Sequence, residues 1–248
     1  MTSGAADLWV CDLPVIDYRE ALALQERVRT ARQEDRIPDT LLLLEHPPVY
    51  TRGRRSDARE LPLGEAWYRS QGIDIVDTDR GGKLTYHGPG QLVGYPIMRI
   101  DDVIAYLRTM EQAIVATLAD IGIAAHGRPD DGPDFTGVWT AADRKIASIG
   151  VHVARGVTTH GFAINVDNDL QPFGWVVACG LDGVQMTSVV EENGAPDLAP
   201  ALPLLTAVRV SIAQRFADAF GRRVRAIDAA DLDAAVEALA PTRPAGGG

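Results

Sequence analysis

The spacing of apolar residues along this chain alternates between the helical and the strand period, and this alternation constrains the fold most. Residues 17–35 place Ala21, Leu22, Leu24 and Val28 on one side of a helix, whereas the apolar run in residues 41–45 is typical of a buried strand. Repeated switching of this kind indicates mixed structure rather than a helical bundle or a β-sandwich. We therefore predict a fold of mixed α and β structure, of the α+β class.

The same reasoning predicts the individual elements. Helices are expected over residues 17–35, 64–71, 101–121, 204–220 and 229–239. Strands are expected over residues 41–45, 73–77, 84–86, 92–100, 137–140, 145–153 and 159–166, with residues 49–53 forming a loop or a short strand. The turn His87-Gly88-Pro89-Gly90 is expected to join residues 84–86 and 92–100 as a strand pair. In the helix over 101–121, the predicted inner face carries Ile104, Leu107, Ile114 and Leu118.

Length and charge bound the class of protein. The 248 residues fit a single catalytic domain over residues 1–248, with a core over about 8–225, a C-terminal helix over about 229–239 and a disordered tail over 241–248. The net charge of −10 argues against a nucleic-acid partner, and no apolar stretch is long enough for a membrane span. The start of the chain lacks the features of a signal peptide, so we expect a cytoplasmic protein, and we expect a monomer.

The chain has 22 arginines and only two lysines, Lys83 and Lys145, and both lie in glycine-containing segments. Arginine stays protonated in proteins, whereas burial or a neighbouring cation can bring a lysine close to neutrality. A lysine kept in an arginine-rich chain therefore indicates proton transfer. The alternative is that two lysines fell there by chance.

Two cysteines are present, Cys11 and Cys179, and they do not form an obvious disulfide pair. A lone cysteine among apolar residues is usually a small core residue, and this is our interpretation of Cys11. Gly180 favours a different role for Cys179, because a glycine after a nucleophile lets the substrate approach the backbone and offers its N–H to an oxyanion. No phosphate-binding loop, dinucleotide fingerprint, nucleophile elbow or metal-binding spacing occurs, so we expect no cofactor and no metal.

A thiol followed by glycine, a lysine on a strand and a glycine-rich loop with a histidine together suggest acyl transfer. A nearby ammonium would lower the pKa of the thiol and could protonate the leaving group. The sequence alone does not decide whether Lys145 or Lys83 reaches Cys179.

Five segments resemble one known family. They are Glu45-His46-Pro47-Pro48-Val49-Tyr50-Thr51, Arg80-Gly81-Gly82-Lys83-Leu84-Thr85-Tyr86-His87-Gly88-Pro89-Gly90-Gln91-Leu92-Val93-Gly94-Tyr95-Pro96, Lys145-Ile146-Ala147-Ser148-Ile149-Gly150-Val151, His160-Gly161-Phe162-Ala163-Ile164-Asn165-Val166 and Cys179-Gly180-Leu181. In content and order they are similar to the octanoyltransferases of lipoate biosynthesis. The resemblance implies the fold of the lipoate and biotin protein ligase catalytic domains, a mixed β-sheet with helices packed around it. The chain departs from the family pattern at Ala178, where proline is usual, and at Lys83, where glutamine is frequent.

The resemblance implies a two-step reaction. An octanoyl group would pass from octanoyl-acyl carrier protein to Cys179 as a thioester, and then to a lysine of a lipoyl domain in a 2-oxoacid dehydrogenase complex or of the glycine cleavage H protein. It implies Lys145 as general acid and base. The implied acyl-binding residues are Arg80, Gly81, Gly82, Lys83, Leu84, Thr85, Tyr86, His87, Ser148, Ile149, Gly150, Gly161, Phe162 and Ala163.

Other interpretations remain open at this level. His160 could orient a loop beside the thiol or simply be a hydrogen-bonded strand histidine. An ATP-dependent lipoate or biotin protein ligase would share the fold, and a non-catalytic protein that binds acyl carrier would share the pocket. Neither of these would need a covalent octanoyl group on Cys179.

Overall fold

The computed structural model describes residues 5–176, 184–193 and 203–238. In this part of the chain the strands are β1 (Asp7–Val15), β2 (Asp39–Glu45), β3 (Val49–Arg52), β4 (Asp74–Asp77), β5 (Thr85–His87), β6 (Gln91–Ile97), β7 (Ala125–Gly127), β8 (Gly137–Thr140), β9 (Lys145–Ala154), β10 (Val157–Asn165) and β11 (Arg223–Ala226). The α-helices are α1 (Tyr18–Gln33), α2 (Glu65–Ser70), α3 (Val103–Asp120), α4 (Gln171–Gly174), α5 (Val189–Asn193), α6 (Leu204–Ala219) and α7 (Ala229–Glu237).

Two sheets organise these elements. The larger has eight strands in the order β11-β1-β2-β6-β10-β9-β8-β7, and the smaller has three in the order β4-β3-β5. Strand β1 pairs in parallel with both β2 and β11, whereas β2 with β6, β6 with β10 and β10 with β9 are antiparallel. The predicted mixed sheet with packed helices is therefore confirmed.

Strand β2 explains why the larger sheet has helices on both faces. Leu41 and Leu43 belong to a core cluster that includes residues of α3 and α6, while Leu42 and Leu44 belong to a second cluster with residues of α1 and α7. Successive strand residues point to opposite faces, so an unbroken run of leucine needs an apolar layer on each side. All four leucines are essentially fully buried.

The helices begin where short acidic side chains can cap them. The Asp17 carboxylate accepts a hydrogen bond from Arg19 N (2.8 Å) at the start of α1, and Asp102 accepts from Ile104 N (2.8 Å) at the start of α3. Such caps satisfy N–H groups that have no partner within the helix. One prediction for α3 is wrong: Ile104 is 64% exposed, because the buried face of α3 begins at Tyr106 and continues through Met110 and Ile114, and a residue two positions before Tyr106 points the other way.

The predicted strand pair through His87-Gly88-Pro89-Gly90 is also wrong. Strand β5 pairs with β3 in the small sheet, and β6 pairs with β2 and β10 in the large one. The turn therefore carries the chain from one sheet to the other. Gly90 has a φ of +83° and a Cβ there would lie 2.4 Å from the Asp167 carboxylate, so this crossing requires glycine.

Three strands were not predicted as such, namely β1, β7 and β11. Cys11 lies in β1 and is buried, as its interpretation as a core residue requires, and burial raises the pKa of its thiol to about 11. The predicted tail over residues 241–248 lies outside the described residues. None of the helices in the described ranges combines the length and the apolar character needed to cross a membrane.

Candidate active site

A pocket lies between the large sheet and the loop that leads into β5. The space it encloses, counting the part that is open to solvent, is about 630 Å³. The strands β6, β9 and β10 supply one wall, with Val93, Ile149, Phe162 and Ala163. The opposite side comes from Leu84, Thr85 and His87, and Tyr18 at the start of α1 joins the lining.

The glycine-rich segment lies directly against β9. Gly81 N donates to Val151 O (2.9 Å), and a Cβ at Gly150 would come within 2.8 Å of Gly81 O. Because Gly150 has no side chain, the loop can approach the strand this closely. Two predicted segments that are far apart in sequence, residues 80–83 and 148–150, therefore meet at the pocket.

Arg80 holds this loop to the small sheet. Its guanidinium donates to Thr51 O (2.5 Å) and to Thr51 Oγ1 (2.8 Å), and the residue is only 7% exposed. A buried guanidinium is tolerated when fixed acceptors satisfy its N–H groups. The contacts of Arg80 thus fix the shape of the loop that lines the pocket.

Lys145 lies at the first position of β9 and is 2% exposed, so its side chain is one of the larger fully buried ones. Its backbone joins β9 to the segment after residue 183, because Lys145 N donates to Gln185 O (2.8 Å) and Thr187 N donates to Lys145 O (3.0 Å). The side chain lines the pocket.

Strand β8 shapes the space around the Lys145 side chain. The ammonium Nζ lies 5.3 Å from the centre of the Trp139 ring, within the range of a cation–π contact. Gly137, with a φ of +137°, lies alongside, and a Cβ there would be 2.9 Å from Lys145 Cε and 2.5 Å from Ala147 O. Only glycine allows the lysine chain to pass at this point.

A buried carboxylate on α3 anchors this glycine. Glu111 is 3% exposed, and its Oε1 accepts a hydrogen bond from Gly137 N (3.0 Å). Its other oxygen accepts from Arg108 Nη1 (2.6 Å). An ion pair with defined partners on both oxygens fixes the position of the Gly137 backbone against α3.

His87 begins a chain of buried side-chain hydrogen bonds. Burial lowers its pKa well below the usual value, so the ring is neutral, and Nδ1–H donates to Gln91 Oε1 (2.7 Å). Gln91 Nε2 then donates to Asn165 Oδ1 (2.9 Å), and Asn165 Nδ2 donates to Thr187 O (2.9 Å). Since Thr187 is bonded to the backbone of Lys145, this network connects the two predicted segments.

His160 lies in β10 opposite Val151, and not in a loop. Burial lowers the pKa of His160, and its Nε2–H donates to Asp79 Oδ1 (2.7 Å). This hydrogen bond in turn lowers the pKa of Asp79 to about 2. The residue has a φ of +57°, which is uncommon for a side chain of this size and indicates local strain at the pocket.

The structure brings most of the predicted site residues to one pocket. Tyr86 is different, because its ring packs in the core of the small sheet with Tyr50 and Phe173, while its neighbours Thr85 and His87 face the pocket. Cys179, Gly180 and Leu181 lie outside the described residues. In the part of the chain that the structure covers, no group of three or more His, Cys, Asp and Glu side chains is arranged to hold a metal ion.

Comparison with known proteins identifies the family. The family model of the lipoyl protein ligase A/B catalytic domain matches residues 17–204. An octanoyltransferase of Salinispora arenicola is 42% identical over 214 residues, which cover 83% of this chain and 95% of the relative. One from Solibacter usitatus is 51% identical over 170 residues, covering 67% of this chain and 75% of the relative.

The chain belongs to the octanoyltransferase family. It is therefore an acyltransferase, and the predicted family membership is confirmed.

Solved structures agree with the octanoyltransferase assignment at the level of the fold. A bipartite lipoate protein ligase of Thermoplasma acidophilum superimposes with a TM-score of 0.70 at 17% identity, covering 94% of this chain and 91% of the other. Lipoate-protein ligase A bound with ATP gives a TM-score of 0.69 at 19% identity, with 94% and 92% covered. At such identities the likeness establishes the fold and nothing finer.

Several residues of this octanoyltransferase site were not found from the sequence, two that line the pocket and two that lie behind it around Lys145 and Gly137. Tyr18, Tyr95, Trp139 and Glu111 lie in helices or strands where they have the pattern of ordinary core residues. Tyr95 was the most accessible to prediction, because it belongs to the long glycine-rich resemblance segment. For Glu111 no sequence signal exists beyond a carboxylate on the apolar side of a helix.

Proposed function

We propose that this octanoyltransferase moves an octanoyl group from octanoyl-acyl carrier protein to Cys179, and from there to a lysine of a lipoyl domain. The acceptors would be lipoyl domains of 2-oxoacid dehydrogenase complexes and the glycine cleavage H protein. The observation that carries this proposal is a buried lysine in the wall of a largely apolar pocket, in a chain of this family.

The connectivity of the chain supports the pairing of Cys179 with Lys145. Gln185, six residues after Cys179, is hydrogen-bonded to Lys145 N. Six residues reach at most about 22 Å, so Cys179 has to stay within that distance of the Lys145 backbone strand. The connectivity also allows Lys83, because Val176, three residues before Cys179, packs against the cluster that contains Leu84. Burial separates the two lysines, since Lys145 is 2% exposed and Lys83 is partly exposed, and this difference favours Lys145 as the proton carrier.

In the first step the Cys179 sulfur attacks the thioester carbonyl. A new C–S bond forms, the bond to the carrier sulfur breaks, and the Lys145 ammonium gives its proton to the departing carrier thiolate. In the second step the proton moves in the opposite direction at Lys145. The acceptor amine forms a C–N bond to the carbonyl, the Cys179 sulfur leaves, and Lys145 takes the proton that the amine loses. The exchange of thioesters is nearly balanced in energy, and amide formation is downhill, so no nucleotide is required.

Intact-protein mass spectrometry tests the proposal. Wild-type protein incubated with octanoyl-acyl carrier protein should gain the mass of one octanoyl group, and the mass should return to its starting value when a lipoyl domain is added. Cys179→Ser should gain no thioester, whereas Cys11→Ser, at the buried and unreactive thiol of β1, should behave as wild type.

Two results would contradict the proposal. If a Cys179→Ser variant still transferred octanoyl at the normal rate, a thioester intermediate on Cys179 would be excluded. Acylation of the lipoyl domain from free octanoate and ATP, without a carrier, would identify an ATP-dependent ligase instead.

A further inference from the structure

The pocket has the opposite charge to the chain as a whole. The chain has 24 basic and 34 acidic residues. Among the residues that the structure describes, however, the pocket lining contains the cations Arg55, Arg80, Lys83 and Lys145 and a single carboxylate, Asp134. The lining histidines His87 and His160 are neutral, because burial lowers the pKa of each. Clefts lined by one sign of charge concentrate ligands of the other sign.

Two of these four cations already have a role in the interior. Arg80 is bonded to Thr51 and shapes the loop, and Lys145 is buried at the start of β9. The remaining two, Arg55 and Lys83, lie at the rim, since Lys83 is partly exposed and the Arg55 side chain is 46% exposed. An octanoyl chain carries no charge, so the acyl group itself gives no reason for cations there.

The two rim cations are mounted on loops that hold each other. Arg55 N donates to Gly82 O (3.0 Å) and Arg54 N donates to Arg80 O (3.0 Å). A Cβ at Gly53 would lie 2.5 Å from Gly82 O, so the loops touch with no room for a side chain between them. This close contact keeps Arg55 and Lys83 on neighbouring turns of backbone.

The carboxylates nearby do not neutralise both rim cations. Asp134 pairs with one nitrogen of the Arg55 guanidinium (2.7 Å) and so orients it, which leaves further N–H donors of the same group for another acceptor. Asp57 lies close to Lys83 but is bound by Arg59, whose hydrogen bonds are the main reason for its lowered pKa. Lys83 forms no ion pair with any carboxylate in the described ranges.

We propose that Arg55 and Lys83 bind the phosphate of the phosphopantetheine arm that carries the acyl group. This inference rests on the proposed function, because it assumes a thioester donor. Acyl groups on a carrier protein hang from a pantetheine arm, and the phosphate at the base of that arm is the donor's charge nearest to the thioester. Charge-assisted hydrogen bonds to phosphate are short and strong, and arginine and lysine are the side chains that form them.

The dimensions of the site agree with this arrangement. About thirteen bonds separate the sulfur from the phosphorus in the arm, which corresponds to roughly 16 Å when extended. Along β9, Lys145 and Val151 are six residues apart, or about 20 Å, and Gly81 is hydrogen-bonded to Val151. An arm with its sulfur near Lys145 therefore brings its phosphate towards the loop that carries Lys83, while the acyl chain occupies the apolar interior.

Donors that differ only in the phosphate test the inference. Octanoyl-pantetheine and octanoyl-4′-phosphopantetheine would be compared on the full chain, using the wild type and the variants Lys83→Gln and Arg55→Gln. Each variant should raise KM for the phosphorylated donor by about 3- to 10-fold, and by at least about 3-fold more than it raises KM for the unphosphorylated donor. Added salt should weaken the wild-type preference for the phosphorylated donor.

Arg27→Gln is the matched control. The Arg27 side chain is also 46% exposed, and it pairs with Asp233 at 2.9 Å and with Glu237 at 3.7 Å, but it lies on α1 and not in the pocket lining. This variant should keep the wild-type KM for both donors.

Three outcomes would overturn the inference. Equal changes in KM for both donors would mean that Arg55 and Lys83 affect the shape of the pocket and do not bind the phosphate. A change seen only with the intact carrier protein, and not with octanoyl-4′-phosphopantetheine or octanoyl-coenzyme A, would assign the cations to the protein surface of the carrier. If the wild-type protein acylates Cys179 from none of these donors, the proposed function itself is rejected. This outcome is distinct from the first two, because it does not involve the Lys83 and Arg55 variants.

Discussion

Two regions at the pocket, which we call the Lys145 end and the histidine end, are similarly buried, yet their titratable side chains are held differently. At one end Lys145 extends past Gly137 towards the face of Trp139. At the other, His46 and Tyr95 form a closed set of hydrogen bonds beside Tyr18, and burial lowers the pKa of His46 to about 4. Burial of a titratable group is therefore not enough to mark a catalytic residue.

The hydrogen bonds of the histidine end explain why it is stable. His46 Nδ1–H donates to Ile16 O (2.8 Å), so its Nε2 lone pair accepts the hydroxyl of Tyr95 (2.6 Å). Both ring nitrogens are satisfied in the neutral form, and protonation would break one of these bonds in a dry environment. We interpret this end as a structural wall and the Lys145 end as the place where protons move.

The largest effect is expected for Lys145→Arg. The charge is kept, but arginine cannot give up and regain a proton within the catalytic cycle, so kcat should fall by about 100-fold or more. The same change at Lys83, which keeps the charge at the rim, should cost less than about 3-fold. Steady-state kinetics with octanoyl-acyl carrier protein measure both. Near-normal turnover of Lys145→Arg would count against Lys145 as the proton carrier.

A smaller loss is expected for Gly137→Ala. The new Cβ would meet Lys145 Cε and Ala147 O, and the backbone φ of +137° disfavours alanine, so we expect kcat to fall by about 10-fold or more together with a loss of about 1–3 kcal/mol of stability. Gly132→Ala is the control, since Gly132 also has a positive φ, +96°, but nothing lies within 4 Å of its added Cβ. If the two variants lose the same activity, backbone strain and not contact with Lys145 is responsible.

Because of the histidine end, the free energy of unfolding should depend on pH. The unfolded chain binds a proton at His46 below about pH 6.5, but the folded protein does so only near pH 4, so acidification favours the unfolded state. The stabilisation is complete above pH 6.5 and is lost as the pH falls to about 4, by at most about 3 kcal/mol.

Urea unfolding at a series of pH values measures this loss. His46→Asn should make the slope between pH 6.5 and 4 shallower but not flat, because burial also lowers the pKa of His87 and of His160. His126→Asn, at an exposed histidine of β7, should keep the wild-type slope. A His46 variant with an unchanged slope would show that other groups cause the acid sensitivity.

The smallest effect is expected for Tyr95→Phe. The change removes the hydroxyl that donates a hydrogen bond to His46 Nε2 and leaves this buried nitrogen without that partner. The loss should cost about 1–2 kcal/mol of stability. Because this hydrogen bond lies at the structural end, kcat should change by less than about 2-fold. A large fall in kcat with unchanged stability would give the histidine end a part in catalysis and would erase the distinction between the two ends.

The sequence predicted the helices and central strands well, for reasons that are local. Helix α1 begins at the Asp17 cap, and its buried residues recur at helical spacing, while β2 is an apolar run too short for a helix. The glycine-rich segments also predicted the pocket, since glycine at such density indicates close backbone approach. These are properties that a residue and its near neighbours determine together.

The chain alone determined the class of fold, the family and the residue types available for chemistry, because these follow from short-range periodicity and from contiguous motifs. Which sheet β5 joins, which side of α3 is covered and which lysine lies beside Trp139 depended on contacts between distant segments. Gly137 and Glu111 show the reason most clearly. Each has an ordinary sequence context, and each acquires its importance only when β8, β9 and α3 pack together and leave space for a single lysine side chain.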